Sequence, residues 1–454
     1  MLLTAENPDM CGSKSSRITP RTGGACNKTN RPGDSSKNGG DDDKKKGRGS
    51  GAGETDRLQV KDLTAQLLDF AGAELENNLL PFWTTRMTDK VNGGFIGAVT
   101  QEGDPLPGAP KGLILNSRLL WTFSAVYNHD RRFDYRCLAQ RAWDYITTRF
   151  ADTVYGGYFW TVDEAGNPLE KKKQTYAQAF VVYAFSEFYR ACGSQEVLDA
   201  AICQYRLIEE KCADSVHGGY LEAFSQSWEE IADSRLSEKD LNESKTMNTH
   251  LHVLEAYTSL LGVWDDPGLR ERLKMLTGIF AGKIVGDGIL HQKLFFNEKW
   301  EPRSPLISYG HDIEASWLLC EAARTVGGRE LAERTAELSL RLARGAAEGV
   351  NRLGGLTHES DGKGSTDGEM EWWAQAEAVV GFVNAWRLSG DGHYLELASG
   401  VKEFIEKFVI DREGGEWFYR LNAEGRPLAG FDKAGFWKCP YHNVRMCLEI
   451  TRLV

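Results

Sequence analysis

A polar face on one predicted helix is the first feature that suits chemistry. In the stretch NTHLHVLEAYTSL, residues 248–260, apolar residues recur at helical spacings of three and four. Residues two apart on a helix point about 200° away from each other, so His250 and His252 cannot face the same pocket. Asn248, His252 and Glu255 share one face. We predict that this face belongs to a site and that His250 points to an outer layer, although a lone core histidine is more often structural.

Two further histidines stand near the starts of predicted helices. In SYGHDIEASWLLCEA, His311 and Glu314 are three positions apart, so the carboxylate can orient the imidazole or bind a substrate hydroxyl. In GFWKCPYHNVRMCLEI, Pro440 suits a first helical turn and His442 follows it. The positive end of a helix favours neutral imidazole, which is the form that a general base needs. A capping or core role is the alternative for each histidine.

An arginine and two tryptophans are candidates for ligand contacts. Arg118 interrupts the otherwise apolar stretch LNSRLLWTFSAVY, and a buried arginine needs acceptors, either from a ligand or from a structural ion pair. Trp373 and Glu377 lie at the entry of the predicted helix in EMEWWAQAEAVVGFVNAW, and Trp437 precedes His442 by five residues. Aromatic rings can hold the apolar faces of sugars, and a core role is the alternative. The sequence contains no phosphate-binding glycine loop, GxSxG or HExxH motif.

Six similar glycine-rich segments divide the chain into units of near-constant length. The marker glycines are Gly93, Gly156, Gly218, Gly288, Gly354 and Gly414, at spacings of 63, 62, 70, 66 and 60 residues. Each unit has room for two helices and one short hairpin. The repeat therefore predicts an all-α fold, an (α/α)6 barrel of twelve helices with short β-hairpins between helix pairs, and an open helical solenoid is the alternative. Such a barrel has a funnel at one end, which is where ligands bind in folds of this shape.

The first 57 of the 454 residues differ in composition from the rest. They are rich in Gly, Ser, Asn and charged residues, which predicts a disordered, low-complexity tail at 1–57 and a catalytic barrel domain at 58–454. The tail carries 11 basic and 8 acidic residues, so a chain of net charge −11 leaves −14 on the barrel, and such an acidic body argues against a nucleic-acid partner. No apolar run is long enough for a membrane. Nine irregularly spaced cysteines favour reduced thiols and a cytoplasmic location.

Several quoted segments resemble those of one known family. LNSRLLWTFS, NTHLHVLEAYT, GHDIEASWLL, WWAQAEAVVGF, GEWF and KCPYHNVRMCLEI are similar to the signature segments of cellobiose 2-epimerases, in the N-acylglucosamine 2-epimerase superfamily. The resemblance runs from about residue 58 to the end of the chain. It implies an (α/α)6 barrel that needs no metal and no organic cofactor. It also implies conversion of the reducing-end glucose of β-1,4-linked disaccharides to mannose, with cellobiose, lactose or mannobiose as substrates.

The resemblance also implies roles for individual residues. His311 and His442 match the acid/base pair of the family, and His252 and Arg118 match their essential neighbours. The remaining matched or neighbouring positions, which would hold the sugar or orient an imidazole, are Asn248, Tyr176, Glu255, Glu314, Trp373, Glu377 and Trp437.

The implied reaction proceeds through an open-chain sugar. The ring opens, a base removes the C2 proton to give a cis-enediol, and a proton returns to the opposite face of C2. Our hypothesis is that His311 removes the proton and that His442 serves ring opening and the return. A mannobiose 2-epimerase, an N-acylglucosamine 2-epimerase or an aldose–ketose isomerase are the nearest alternatives. An inverting glycoside hydrolase that uses Asp312 and Glu371 is more remote, and so is a non-catalytic carbohydrate-binding barrel. We expect a monomer.

Overall fold

Twelve helices form the described part of the chain. The computed structural model describes residues 50–364, 366 and 368–454. In chain order the helices are α1 (Ser50–Glu74, continued by a π-helical turn Leu75–Leu79 and by Leu80–Arg86), α2 (Leu113–Asp130), α3 (Phe133–Tyr145, with π-helical Ile146–Phe150), α4 (Thr175–Cys192), α5 (Gln195–Lys211), α6 (Met247–Leu261), α7 (Pro267–Ile279, with π-helical Phe280–Val285), α8 (Tyr309–Val326), α9 (Arg329–Ala347), α10 (Trp372–Ser389), α11 (Gly392–Phe404, with π-helical Ile405–Val409) and α12 (Tyr441–Leu453).

The predicted N-terminal tail falls almost entirely outside the described residues, so its disorder stays a prediction. Helix α1 begins at Ser50, seven residues before the end of the predicted tail at residue 57.

The even-numbered helices form an inner ring and the odd-numbered helices surround it. Each inner helix packs against the next, and α12 packs against both α10 and α2, which closes the ring. Inner helices such as α2 and α4 are buried on nearly every face because their sequences are apolar almost all round. Outer helices such as α9 bury one apolar stripe and expose the rest. The predicted (α/α)6 barrel is therefore confirmed. None of the described helices is long and apolar enough to cross a membrane.

Short antiparallel ladders fasten neighbouring repeats to one another. Their strands are β1 (Lys111–Gly112), β2 (Thr161–Val162), β3 (Lys173–Gln174), β4 (Ala223–Phe224), β5 (Lys245–Thr246), β6 (Phe295–Phe296), β7 (Ile307–Ser308), β8 (Glu359–Ser360), β9 (Met370–Glu371) and β10 (Arg420–Leu421). Each odd-numbered strand leads directly into an inner helix and pairs with the even-numbered strand that follows it, from the next repeat. A bridge between Val99 and Ala434, with the Val99 amide donating at 2.8 Å, makes the sixth joint.

The predicted hairpins are present within the repeats, where single bridges such as Ala151–Tyr158 close them. Their glycine pairs allow inner-helix side chains to approach the backbone closely. Gly219 has a φ of +79°, and a Cβ at this position would lie 2.6 Å from the Nε2 atom of His250. Only glycine adopts this conformation readily and leaves room for the imidazole. The hairpins are thus packed directly against the helices that begin at the funnel.

Buried lysine–aspartate pairs tie four of the six hairpins to the segment that precedes an inner helix. Lys173 Nζ lies 2.9 Å from Asp152 Oδ2, and both side chains are shielded from solvent. The same arrangement recurs in other repeats, as the pairs Lys111–Asp89, Lys245–Asp214 and Lys433–Asp411. Each aspartate also accepts backbone N–H groups from its own hairpin turn. The pairs therefore fix the positions at which the inner helices start.

Replacing Lys173 by methionine should lower the free energy of unfolding by about 3–5 kcal/mol, because Asp152 would remain buried without its cation. Urea denaturation of wild type and variant measures the difference. Lys171→Met is the matched control, since Lys171 is exposed two residues earlier, and its stability should stay within about 0.5 kcal/mol of wild type. Equal midpoints for the two variants would contradict a stabilising role for the buried pair.

Candidate active site

A cavity of about 580 Å³ lies at the end of the barrel where the inner helices begin. Nine of the eleven predicted site residues line it: Arg118, Tyr176, Asn248, His252, His311, Glu314, Trp373, Trp437 and His442. All except Trp437 belong to the first two turns of an inner helix. A second cavity, of about 800 Å³, lies between α1 and α11 and contains none of the predicted residues. The predicted catalytic residues therefore line the smaller of these two cavities.

Two of the three histidines are held by carboxylates on the inner helices. The Nδ1 atom of His252 lies 2.8 Å from Glu255 Oε2, and the Nδ1 atom of His442 lies 2.7 Å from Glu377 Oε1. Burial outweighs these carboxylates and lowers the pKa of His252, and it lowers the pKa of His442 to about 3. Both imidazoles are consequently neutral at physiological pH and able to accept a proton.

The third histidine has a different partner from the one that the sequence suggested. The Nδ1 atom of His311 lies 2.8 Å from Ser308 Oγ, and Glu314 makes no hydrogen bond to the imidazole. Glu314 instead accepts a hydrogen bond from Arg445 Nη2 at 2.9 Å. Burial, together with repulsion from neighbouring imidazoles, holds the pKa of His311 well below its usual value. His311 is therefore also neutral.

Two predicted sugar contacts lie behind the cavity rather than on its wall. Glu255 and Glu377 are absent from the lining because their oxygens are taken up by the histidines and by Arg445. Arg445 is fully buried on α12, and its Nη2 atom donates to Glu314 at 2.9 Å and to Glu377 at 2.6 Å. The sequence analysis missed Arg445. Its position three residues after His442 would have placed it on the same helical face.

The three carboxyl groups around Arg445 differ in the direction of their pKa shifts. Burial alone would raise the pKa of each, but Arg445 and the adjacent imidazole lower the pKa of Glu255, and they lower the pKa of Glu377 to about 2. Glu314 behaves in the opposite way, because burial and repulsion from Glu377 raise its pKa well above the usual value. Glu255 and Glu377 are therefore stabilised as carboxylates, whereas Glu314 takes up a proton more readily than a free carboxyl group does.

One group of side chains has the donor types of a metal site. Ligand atoms of Glu314, Glu377 and His442 lie within 4.8 Å of one another. The guanidinium of Arg445 already bonds both carboxyl groups, so its positive charge would repel a cation at this point. The donor set therefore does not fit a metal ion, and a metal-independent site remains our expectation.

Arg118 places a positive charge on the wall of the cavity. Its Nη2 atom donates to the Tyr176 hydroxyl at 2.7 Å, and its guanidinium lies 4.4 Å from the ring centre of Phe180 and 4.9 Å from that of Tyr441. Its Nε atom has no hydrogen-bond partner in the protein. Within the described part of the chain Arg118 forms no ion pair, so the structural alternative raised from the sequence lacks a carboxylate. The charge is available to a ligand.

Aromatic rings flank the histidines. The Trp373 ring lies 4.7 Å from the imidazole of His311 and 5.6 Å from that of His442, centre to centre. Tyr176 lies 4.8 Å from the His252 ring and 6.1 Å from Trp437. Further lining comes from positions that the sequence analysis did not single out, namely Leu236–Leu241, Leu294, Phe295, His358, Tyr419 and Arg420. Most of them lie in loops, where no helical or strand periodicity marks the residues that face a cavity.

His250 points away from the cavity, toward the outer layer. Its Nε2 atom accepts a hydrogen bond from the Tyr220 amide at 2.9 Å, and its Nδ1 atom lies 2.6 Å from the Thr246 carbonyl oxygen. Because a carbonyl only accepts, Nδ1 carries the proton and the tautomer is fixed. Burial lowers the pKa of His250 to about 4. The residue joins a hairpin to the helix that carries His252.

Protonation of His250 should destabilise the fold in mild acid. Between pH 6.5 and 4 the unfolded chain binds a proton that the folded chain does not, so stability should fall as the pH decreases through this window, by up to about 3 kcal/mol. His250→Gln should remove this part of the pH dependence, and His129→Gln, at an exposed position, should keep it. Denaturation at pH 7 and pH 4.5 measures the slopes. Identical slopes in all three proteins would rule out His250 as the titrating group.

Comparison with known proteins agrees with this geometry. The sequence profile of the N-acylglucosamine 2-epimerase (GlcNAc 2-epimerase) family matches residues 94–445. The chain belongs to the N-acylglucosamine 2-epimerase family. A cellobiose 2-epimerase from Bacteroides fragilis is 46% identical over 378 residues, which cover 83% of this chain and 96% of that protein. Another from Dictyoglomus turgidum is 39% identical over 398 residues, which cover 87% of this chain and 100% of that protein.

Solved structures also include close matches to the fold of this chain. The structure of cellobiose 2-epimerase from Bacillus thermoamylovorans has a TM-score of 0.82 and 39% sequence identity, and the match covers 86% of this chain and 100% of that one. The resemblance found in the sequence segments is thereby confirmed. The family match includes all eleven predicted site residues and begins after α1.

Proposed function

We propose that the chain is a cellobiose 2-epimerase, which interconverts glucose and mannose at the reducing end of β-1,4-linked disaccharides. The observation that carries the proposal is the set of three neutral imidazoles, those of His252, His311 and His442, around one cavity. The cellobiose 2-epimerases among the relatives, at up to 46% identity, support the same reaction. Cellobiose would yield glucosyl-mannose and lactose would yield epilactose.

The chemistry explains why several neutral histidines are needed. The C2 hydrogen is acidic only when C1 is a carbonyl, so a proton must first move from O1–H to the ring oxygen to open the pyranose. A neutral base then removes the C2 proton and passes it to O1, which gives the cis-enediol. A second neutral imidazole takes the proton from this O1–H group and delivers it to the opposite face of C2, which restores the carbonyl at C1. We assign C2 proton removal to His311, and we assign ring opening and proton return to His442. Tyr176, Trp373 and Trp437 would hold the two sugar rings, and Asn248, whose buried Oδ1 has no partner in the protein, would accept a sugar hydroxyl.

Arg118 fits the step in which negative charge develops. Removal of the C2 proton moves electrons onto O1, and a buried cation without a carboxylate partner stabilises that charge strongly. His252, held by Glu255, lies against both the Tyr176 and the Phe180 ring and would bind a hydroxyl near the reacting carbons. These roles need only side chains of the chain itself.

One of the two carboxylates that a hydrolase would need does not reach the cavity. Asp312 is fully buried, accepts the Gln292 amide at 2.9 Å, lies 2.7 Å from His291 Nδ1, and does not line the cavity. An inverting glycosidase needs two carboxyl groups across the scissile bond. The other candidate, Glu371, accepts the Trp373 indole N–H at 2.6 Å. An epimerase therefore accounts for the side chains better than a hydrolase does.

Product analysis with several sugars tests the proposed function. The enzyme would be incubated in deuterium oxide with cellobiose, lactose, mannobiose, mannose and N-acetylglucosamine, and the products would be resolved by chromatography and mass spectrometry. We expect glucosyl-mannose from cellobiose, with deuterium at C2. Free glucose would indicate a hydrolase. Reaction of mannose or N-acetylglucosamine but not of the disaccharides would indicate a monosaccharide epimerase or isomerase and would overturn the proposal.

The setting of the enzyme is also a proposal. We infer a cytoplasmic monomer that binds neither nucleic acid nor membrane. Support comes from the acidic net charge of −11 and from the cysteines in the described part of the chain, which form no disulfide with one another, as is usual in a reducing compartment. Light scattering of the purified protein would test the monomer, and a mass of twice 50.7 kDa would contradict it.

A further inference from the structure

Arg445 connects the two histidine–carboxylate pairs. Its guanidinium bonds Glu255 on α6, Glu314 on α8 and Glu377 on α10, so it joins three inner helices to its own. It also donates to the Tyr441 hydroxyl, which in turn donates to Glu255. Two of these carboxylates are the Nδ1 partners of His252 and His442. One buried cation is therefore in contact with the partner of each histidine.

We propose that Arg445 is a positioning residue that fixes His252 and His442 as tautomers with the proton on Nδ1 and a free lone pair on Nε2. The assignment of these histidines to sugar chemistry rests on the proposed function, whereas the tautomers themselves are a property of the free protein. Arg445 touches no sugar in this scheme, since it lies behind the cavity and is absent from its lining. It acts through Glu255 and Glu377.

A buried carboxyl group changes its hydrogen-bonding role when it loses its cation. An ionised carboxylate can only accept hydrogen bonds, so it compels the facing Nδ1 atom to carry the proton. A carboxyl group that loses its cation in a buried site takes up a proton and becomes able to donate to Nδ1. In Glu314, burial and repulsion from Glu377 raise the pKa in spite of the hydrogen bond from Arg445. Without Arg445, burial would raise the pKa of Glu255 and of Glu377 in the same direction, and His252 and His442 could then each adopt either tautomer.

His311 differs from the other two in a way that suits a proton carrier. Its Nδ1 partner is the Ser308 hydroxyl, which can donate or accept. Neither tautomer of His311 is therefore excluded, and Arg445 has no contact with it. The structure assigns fixed tautomers to His252 and His442 and leaves His311 free to exchange its proton between its two nitrogens.

Nitrogen-15 NMR of histidine-labelled protein tests the proposal without sugar. In wild type we expect Nδ1–H tautomers for His252 and His442. In Arg445→Met both should become mixtures, whereas His250 should keep its Nδ1–H tautomer as an internal reference, because backbone groups hold it. Arg452→Met is the matched control, an exposed arginine on the same helix that pairs with Glu449. Unchanged tautomers of His252 and His442 in folded Arg445→Met would overturn the proposal.

A second variant covers the case in which Arg445→Met does not fold. Arg445→Lys keeps the buried charge but lacks the planar fork that reaches Glu255 and Glu377 together. We expect one of the two histidines to lose its Nδ1–H tautomer and kcat for cellobiose to fall by about 10²-fold or more. Retention of both tautomers in Arg445→Lys would count against the bridging role. Tautomers that depend on Arg445 in a protein without epimerase activity would refute the proposed function but not the positioning role.

Discussion

His311→Asn should lower kcat for cellobiose epimerisation by about 10³-fold or more, because the variant has no base at the position assigned to C2 proton removal. Asparagine can still bond the Ser308 hydroxyl, so the start of α8 should keep its geometry. The measurement is the initial rate of glucosyl-mannose formation, together with deuterium incorporation at C2. Both should fall in parallel, since neither occurs without cleavage of the C2–H bond.

A matched control separates chemistry from folding in that experiment. His393→Asn makes the same substitution at an exposed position at the start of α11, and it should retain wild-type rates. His442→Asn should be as inactive as His311→Asn, because the ring must open before C2 can react. Deuterium exchange at C2 that persists in either active-site variant would remove that histidine from the proton transfer steps.

Arg118→Met should separate activity from stability. We expect kcat to fall by about 10²–10³-fold, since the charge that develops on O1 loses its cation. Stability should be equal to or greater than that of wild type, because methionine fills the apolar stem volume and removes a buried charge that has no carboxylate partner. The measurements are kcat for cellobiose and the urea midpoint of the same preparation.

The outcome that would contradict this role is specific. If Arg118 were a structural residue, the variant would lose stability and its remaining folded fraction would turn over at the wild-type rate. Arg149→Met, at an exposed position on α3, is the control for the substitution itself and should change neither quantity. A loss of kcat with full stability is the combination that only a role in the reaction explains.

The sequence predicted the helical face on which a side chain lies better than it predicted the contacts between helices. The spacing of Asn248 and His252 placed both on the face that lines the cavity, and the glycine period predicted the number of helix pairs. Helical spacing says where a side chain points on its own helix. It does not say which residue of another helix meets it, and so Glu377 was expected to touch sugar although it meets His442 and Arg445.

Contacts between segments that are distant in sequence were missed for the same reason. The two-residue ladders pair strands about 50 residues apart in sequence, such as Lys111–Gly112 with Thr161–Val162, and segments this short have no periodicity to recognise. Ser308 was overlooked because it precedes α8 and its role is visible only from the direction of the His311 ring. Cap and loop residues carry little pattern, whereas the interiors of helices carry much.

The helix that closes the ring, α12, carries both His442 and Arg445, and it packs against α2 and α10 from opposite sides. A chain that has not yet placed α12 therefore lacks the imidazole of His442, the cation that holds the carboxylate partners of His442 and His252, and the sixth wall of the cavity. During synthesis the eleven earlier helices can associate through neighbouring contacts, but the site is complete only when α12 is in place. Partly synthesised or C-terminally clipped molecules should accordingly be inert, with no weakly active intermediate forms.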